Sequence, residues 1–139
     1  MNVNFFRIIV IVLLYINGIT AIGGGLILII EPKGSILQLS VNLLNGSPFQ
    51  NYLIPGIILF FFNGMLSLLT LFYTVKKKTF YPYMIIMQGM VLFTWLSTQI
   101  ILLKYFFASL HITYFSISLI LITFGIILLK KYSIKEIKI

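Results

Sequence analysis

The chain lacks cysteine and has few residues of the types that usually carry chemistry, with two acidic residues and one histidine among 139. Without cysteine it can form no disulfide, no thiol nucleophile and no cysteine-ligated zinc or iron–sulfur site. Two acids and one histidine are too few for a closed zinc site, which takes about four ligands. We therefore predict no metal and no cofactor, and the absence of any catalytic or nucleotide-binding motif indicates that the protein is not an enzyme.

Charge of either sign is also scarce. Charged residues make up 9% of the chain, against roughly 25% in ordinary soluble domains. Hydrophobic residues make up 60% and the mean hydropathy is +1.12, more apolar surface than a soluble globule of this size can bury. The formal net charge of +8 does not indicate nucleic-acid binding, because the basic residues lie at the ends of apolar runs. We therefore expect the lipid bilayer to surround the chain.

Four uncharged runs dominate the sequence, at residues 8–30, 52–75, 80–103 and 106–129. Each exceeds the roughly 20 residues that a helix needs to cross a bilayer. The runs lack the apolar–polar alternation of barrel strands, and an open strand in lipid would leave its backbone amides unpaired. The first run is too long for a signal peptide, so we expect it to remain in the mature protein. The sequence predicts an all-α fold, an integral membrane four-helix bundle forming a single domain.

Basic residues gather on one side of such a bundle. Lys33 and Lys104 fall on the other side, whereas eight residues share the first: Arg7, Lys76, Lys77, Lys78, Lys130, Lys131, Lys135 and Lys138. Lysine and arginine near span ends are retained in the cytoplasm. We therefore predict that both termini are cytoplasmic and that the longer connection, residues 31–51, lies outside.

The connection between the first two spans contains an alternating apolar pattern over residues 36–44. Alternation of this kind is typical of a strand, but a lone strand would have no partner. We therefore expect an interfacial helix or an extended segment lying on the bilayer surface. The three successive glycines at residues 23–25 predict a weak or kinked end to the first helix.

Three amide side chains fall near the middle of their spans, namely Asn17, Asn63 and Gln88, and each is followed by glycine. Small residues allow close approach of helices, and amides hydrogen-bond between them. The favoured interpretation is that these side chains converge in the bundle interior and hold the helices together. The alternative is that they contact a ligand or line an ion path.

A second polar cluster is predicted at the outer interface, from Glu31, Trp95, Gln99 and His111. A carboxylate and an imidazole together can exchange a proton or hold a metal. Charged and amphipathic residues at span ends are, however, ordinary interfacial anchors. The anchoring role is the favoured interpretation.

The segment GSPFQNYLIPG at residues 46–56 resembles a pattern in uncharacterised small four-helix bacterial membrane proteins, and Trp95 and Gln99 fit the same pattern. The resemblance implies the bacterial cytoplasmic membrane and no particular activity. Two better-known four-helix families fit less well. Small multidrug transporters rely on a glutamate in the middle of the first helix, where this chain has Asn17, and vitamin K epoxide reductase-like enzymes need a cysteine pair.

These patterns favour a non-catalytic binding or accessory protein that engages lipid, an apolar small molecule or a larger membrane protein. The alternative is a small transporter or channel, formed by a homo-oligomer, with a path lined by the mid-membrane amides. An enzyme acting at the outer interface through Glu31 and His111 ranks third. Proton-coupled transport has little support, because no carboxylate lies in the middle of a span.

Overall fold

The computed structural model describes residues 2–136, and side chains as far as Tyr132. Within that part of the chain there are four long helices and no strand: α1 (Val3–Ile30), α2 (Leu53–Val75), α3 (Tyr81–Leu103) and α4 (Ala108–Glu136). Each is long and apolar enough to cross a membrane. The predicted all-α architecture of four membrane-spanning helices is confirmed.

Helix α1 begins earlier than the sequence suggested, and it continues through the three glycines. Its first residue is Val3, because the side chain of Asn2 accepts a hydrogen bond from the Asn4 N–H (3.0 Å) and caps the helix. The three glycines do not end it, and the α-helix continues to Ile30. The helix therefore does not end at the glycines, where Gly25 packs directly against α2.

Helix α2 changes pitch along its length. An α-helical segment (Leu53–Ile58) is followed by a π-helical segment (Leu59–Met65) and a second α-helical segment (Leu66–Val75). Pro55 lies in the first turn, where a proline costs little because that N–H has no helical partner. The wide π turn contains Asn63 and Gly64, both buried, and such turns are frequent at functional sites.

Helices α1 and α2 pack backbone to backbone through glycines. A Cβ added to Gly25 would lie 2.9 Å from the Gly56 carbonyl oxygen, and one added to Gly56 would lie 3.1 Å from the Gly25 carbonyl oxygen. Nearer the middle, a Cβ on Gly18 would lie 3.5 Å from the Gly64 carbonyl oxygen. These two levels of contact seal the α1–α2 interface.

Helices α3 and α4 form a second close pair by the same means. A Cβ on Gly89 would lie 3.0 Å from the Ser118 carbonyl oxygen, and one on Gly125 would lie 3.1 Å from the Ile86 nitrogen. The Ser118 hydroxyl also donates to the Gly89 carbonyl (3.0 Å). The bundle therefore consists of two tightly packed helix pairs, α1–α2 and α3–α4.

The two ends of the bundle are filled differently. The hairpin end, defined by the turn at residues 76–80, holds most of the main hydrophobic core, which continues along α3 and α4; its members include Phe6, Val10, Leu14, Tyr81, Ile85, Leu121 and Leu128. The opposite end, which we call the loop end, carries the two connections at residues 31–52 and 104–107. The longer connection, residues 31–52, folds over the helices, and we call it the lid segment. The lid segment forms short 3-10 turns at Ser35–Leu37 and Val41–Leu44.

The lid segment folds back onto the helices. The Tyr52 N–H donates to the Pro32 carbonyl (2.8 Å), and the Tyr52 hydroxyl donates to the Ser40 carbonyl (2.8 Å). Leu44 and Tyr52 are buried with Leu28 of α1 in a second apolar cluster. The alternating pattern therefore forms no strand. Leu44 is buried against the end of the bundle and Leu39 packs beside it, whereas Ile36 and Val41 stay exposed. The expected position on the bilayer surface stays a prediction.

Candidate functional site: a cavity at the loop end

A cavity of about 450 Å³ lies beneath the lid segment, with walls from all four helices. Along α1 its lining runs from Leu28 to Asn17, a depth of about 16 Å at 1.5 Å per helical residue. Leucine and aromatic side chains make up most of the wall, among them Leu92 and Leu96 of α3. The cavity is therefore deep and almost wholly apolar.

The roof of the cavity comes from the lid segment, through Leu37, Leu39, Leu44 and Phe49. These residues were not predicted as part of any site. The connection contains more apolar side chains than a fully solvated loop needs, and this excess was the signal that could have identified them. They cover the cavity at the loop end of the bundle.

Glu31 anchors the lid segment at the end of α1. Its carboxylate accepts hydrogen bonds from the N–H groups of Ser35 (2.7 Å) and Ile36 (3.4 Å). Burial raises the pKa of the Glu31 carboxyl, but the hydrogen bonds from Ser35 and Ile36 outweigh it and hold the pKa below its ordinary value. The group is thus ionised at neutral pH, and it does not line the cavity.

Asn17 lies at the floor of the cavity and joins α1 to α2. Its Nδ2 donates to the Asn63 carbonyl (3.2 Å) and to the Ser67 hydroxyl (3.2 Å), and the Ser67 hydroxyl donates to the Leu14 carbonyl (3.0 Å). All of these side chains are buried. The Asn17 amide nitrogen is therefore committed to the helix interface.

The other two mid-span amides, Asn63 and Gln88, are buried without such contacts. Each is 0% exposed, and neither the oxygen nor the nitrogen of either amide has a hydrogen-bond partner among the described residues. Asn17 meets Asn63 only through the Asn63 backbone. Hydrogen bonding therefore does not join the three amides into one cluster.

Of the residues predicted at the outer interface, Trp95, Gln99 and His111 line the cavity together. Glu31 is separated from them by its engagement with the lid segment. Among the described residues no group of three His, Asp or Glu side chains is placed to hold a metal ion. The polar atoms of the site are thus distributed singly around an apolar wall.

His111 is the most constrained of these polar side chains. It is 1% exposed, and its ring stacks on Phe106 (centroids 5.1 Å apart, planes at 26°) and on Phe107 (6.2 Å, 13°). Its Nδ1 lies 3.1 Å from the Phe107 nitrogen and 3.0 Å from the Phe107 oxygen. Its Nε2 is buried with no partner among the described residues.

A groove of about 650 Å³ between α2 and α3 adjoins the cavity. It is lined only by these two helices, and it shares Ile58, Trp95 and Thr98 with the cavity. Helices α2 and α3 contact each other chiefly through the segment Leu66–Val75 near the hairpin end. The groove therefore lies beside the cavity, where α2 and α3 contact each other less.

The other helix joints are closed by hydrogen bonds. Among the described residues, such bonds link α1 to α2 at Asn17, α3 to α4 at Ser118, and α1 to α4 through the Tyr114 hydroxyl, which donates to the Thr20 hydroxyl (2.7 Å). No hydrogen bond between described residues links α2 to α3. The α2–α3 joint is therefore the least restrained side of the cavity.

Comparisons of the chain with protein-family models, with curated proteins and with solved structures gave no match. The geometry of the cavity and of its polar atoms is therefore the basis for the functional argument.

Proposed function

We propose that this protein is a non-catalytic membrane protein that binds an apolar molecule of the bilayer in the cavity at the loop end. The observation that carries the proposal is the cavity itself, about 450 Å³ in volume and lined mainly by apolar side chains. Ligand sites of roughly 300–1,000 Å³ are typical of small-molecule binding proteins. An acyl or isoprenoid chain matches the polarity of this space and can extend along its depth.

The apolar wall argues that a hydrocarbon fills the cavity in the membrane. Unfilled apolar space costs stability, because the side chains that line it lose van der Waals contacts. Water fills apolar cavities poorly, because it needs two to four polar partners. A hydrocarbon chain removes the cost and is abundant around the protein.

The ligand enters from the bilayer between α2 and α3. The lid segment covers the cavity at the loop end, and glycine contacts bring the backbones together at the α1–α2 and α3–α4 interfaces. The groove that shares Ile58, Trp95 and Thr98 with the cavity supports this route. With the orientation favoured by the basic residues, both termini are cytoplasmic and the ligand comes from the outer leaflet.

The packing of the hairpin end supports binding over transport. Phe6, Val10 and Leu14 fill that half of α1, and they are 3%, 0% and 0% exposed. The cavity ends at the level of Asn17, whose amide nitrogen is already hydrogen-bonded. A conduit would need a continuous polar path through this packed core.

A pair of matched variants on α1 tests the proposal. Gly24 lines the cavity, whereas a Cβ on Gly23 would have no atom within 4 Å outside its own helix. We expect native mass spectrometry of the wild type in mild detergent to show a retained lipid in a fixed ratio. Gly24→Phe should fill the space and lower retention at least tenfold, and Gly23→Phe should retain the lipid.

Two results would contradict the proposal. One is a wild type that carries no lipid and takes up no photoreactive acyl chain at residues of the cavity wall. The other is a folded Gly24→Phe protein that retains lipid as well as the wild type does.

A further inference from the structure

Two polar side chains of the cavity wall, those of Trp95 and Gln99, bear on the chemistry of the ligand. We infer that the ligand carries an uncharged hydroxyl group at one end of a long apolar chain, and that this hydroxyl accepts a hydrogen bond from the Trp95 indole N–H and donates one to the Gln99 amide oxygen. The inference rests on the proposed function and narrows it to a class of molecule, the long-chain alcohols and acylglycerols.

Trp95 and Gln99 carry hydrogen-bonding atoms that no other part of the protein occupies. Both side chains line the cavity, neither is fully buried, and among the described residues neither has a hydrogen-bond partner. The sealed polar atoms without partners belong to other described side chains, namely those of Arg7, Asn63, Gln88 and His111. The Trp95 indole nitrogen and the Gln99 amide are therefore both unbonded and accessible.

The other polar side chains of the wall are sealed or already bonded. Asn17 and His111 are each 1% exposed, so they offer almost no surface to an occupant. Four hydroxyl groups of the wall donate to acceptors within the protein, namely those of Thr20, Tyr52, Thr98 and Tyr114. Recognition of a polar group in the cavity therefore falls to Trp95 and Gln99.

Trp95 and Gln99 are placed to act on one group. They lie four residues apart on α3, and side chains at this spacing are neighbours on one helix face. Gln99 lies four residues before the end of α3, and Asn17 lies thirteen residues before the end of α1, which correspond to about 6 Å and about 20 Å at 1.5 Å per residue. A head group at Gln99 therefore leaves room for an apolar chain between it and the cavity floor.

The donors and acceptors of this pair select a hydroxyl. The indole N–H only donates, whereas the amide both donates and accepts. A group that accepts from the indole and also satisfies the amide oxygen must itself donate, which a hydroxyl does and an ester or ether does not. No lysine, arginine or acidic residue is among the described residues that line the cavity, so a charged head there would be buried without a counter-charge, at a large cost.

Four photoreactive probes of equal chain length test the inference on the full chain in detergent: a primary alcohol, its methyl ether, the carboxylate and the plain alkane. Two hydrogen bonds should give the alcohol roughly a ten- to hundredfold tighter affinity than the alkane, with the ether between them. The carboxylate should bind more weakly than the alcohol.

Three results for the wild type would contradict the inference and leave the proposed function standing: an alkane, an ether or a carboxylate that binds as tightly as the alcohol. Failure of all four probes to bind would overturn both the inference and the proposed function.

Two variants separate recognition from structure. Trp95→Phe keeps an aromatic ring and removes the N–H, and Gln99→Leu keeps a side chain of similar size and removes the amide. Each should lower the affinity for the alcohol roughly three- to tenfold and leave the affinity for the alkane unchanged. Ser97→Ala is the control, because Ser97 lies on the same helix and lines neither the cavity nor the groove.

If Trp95 and Gln99 act only as interfacial anchors, both variants will keep the wild-type preference for the alcohol over the alkane. That result, or an equal loss of alcohol and alkane binding in both folded variants, would show that the pair does not recognise the hydroxyl.

Discussion

The three consecutive glycines of α1 give the sharpest test of the helix packing. A Cβ on Gly23 meets nothing within 4 Å, and one on Gly24 meets only the end of Leu59 at 3.5 Å, an ordinary contact. A Cβ on Gly25 would lie 2.8 Å from both Cβ and backbone nitrogen of Phe60, against about 3.5–4.0 Å for unstrained carbon contacts. The α1 and α2 backbones would have to separate to admit it.

The expected free-energy changes have opposite signs. Replacing glycine by alanine inside a helix gains about 1 kcal/mol, so Gly23→Ala and Gly24→Ala should be stabilised by about that amount. Overpacking at Gly25 costs about 1–3 kcal/mol, which leaves Gly25→Ala with a net loss of up to about 2 kcal/mol. The variants at Gly23 and Gly25 should therefore differ by about 1–3 kcal/mol.

Reversible unfolding by sodium dodecyl sulfate in mixed micelles, followed by the fluorescence of the single tryptophan, Trp95, measures these differences. The expected order of stability is Gly23→Ala and Gly24→Ala above the wild type, and Gly25→Ala below it. A Gly25→Ala protein as stable as Gly23→Ala would refute the close α1–α2 contact.

Two further predictions concern orientation and the mid-span amides. Because the chain has no cysteine, Asn45→Cys should react with an impermeant maleimide from outside the cell and Thr79→Cys only from the cytoplasmic side; the reverse pattern would invert the proposed orientation. Asn63→Leu keeps the backbone carbonyl that accepts from Asn17 and removes an amide without partners, so it should be at least as stable as the wild type, whereas Asn17→Leu should lose about 1–3 kcal/mol. Wild-type flux of a solute in proteoliposomes that disappears in a stable Asn63→Leu protein would instead favour a conduit.

The sequence was informative wherever charge or its absence decided the structure. Helices α1, α2 and α3 end at Ile30, Val75 and Leu103, each directly before a charged residue, and these ends follow from hydropathy alone. The start of α1 was not predicted correctly from hydropathy. Arg7 was treated as the boundary of the span, although it lies within the helix. A cap at Asn2 and a long side chain that can reach the interface make that position tolerable.

The site was harder to predict, because its parts come together only through tertiary contacts. Asn17 was assigned to one polar cluster and Trp95, Gln99 and His111 to another, yet all four line one cavity. Depth along a span gives the level of a residue in the membrane, but the face it presents depends on the rotation of each helix. The π-helical turn of α2 shifts that rotation for every residue after it, and no local pattern marks it.

Among the described residues no hydrogen bond joins α2 to α3, and this bears on how fast the proposed ligand could exchange. Where these helices part, exposed apolar side chains such as Phe62 and Met90 line the groove, and lipid tails are as apolar as leucine side chains. Widening this joint therefore exposes no backbone polar group, and it leaves the bonds at Asn17, Ser118 and Thr20 intact. Opening of this kind belongs to collective helix motions on the microsecond-to-millisecond scale. Occupancy of the cavity would then follow the composition of the surrounding leaflet at equilibrium, without unfolding and without an external energy source.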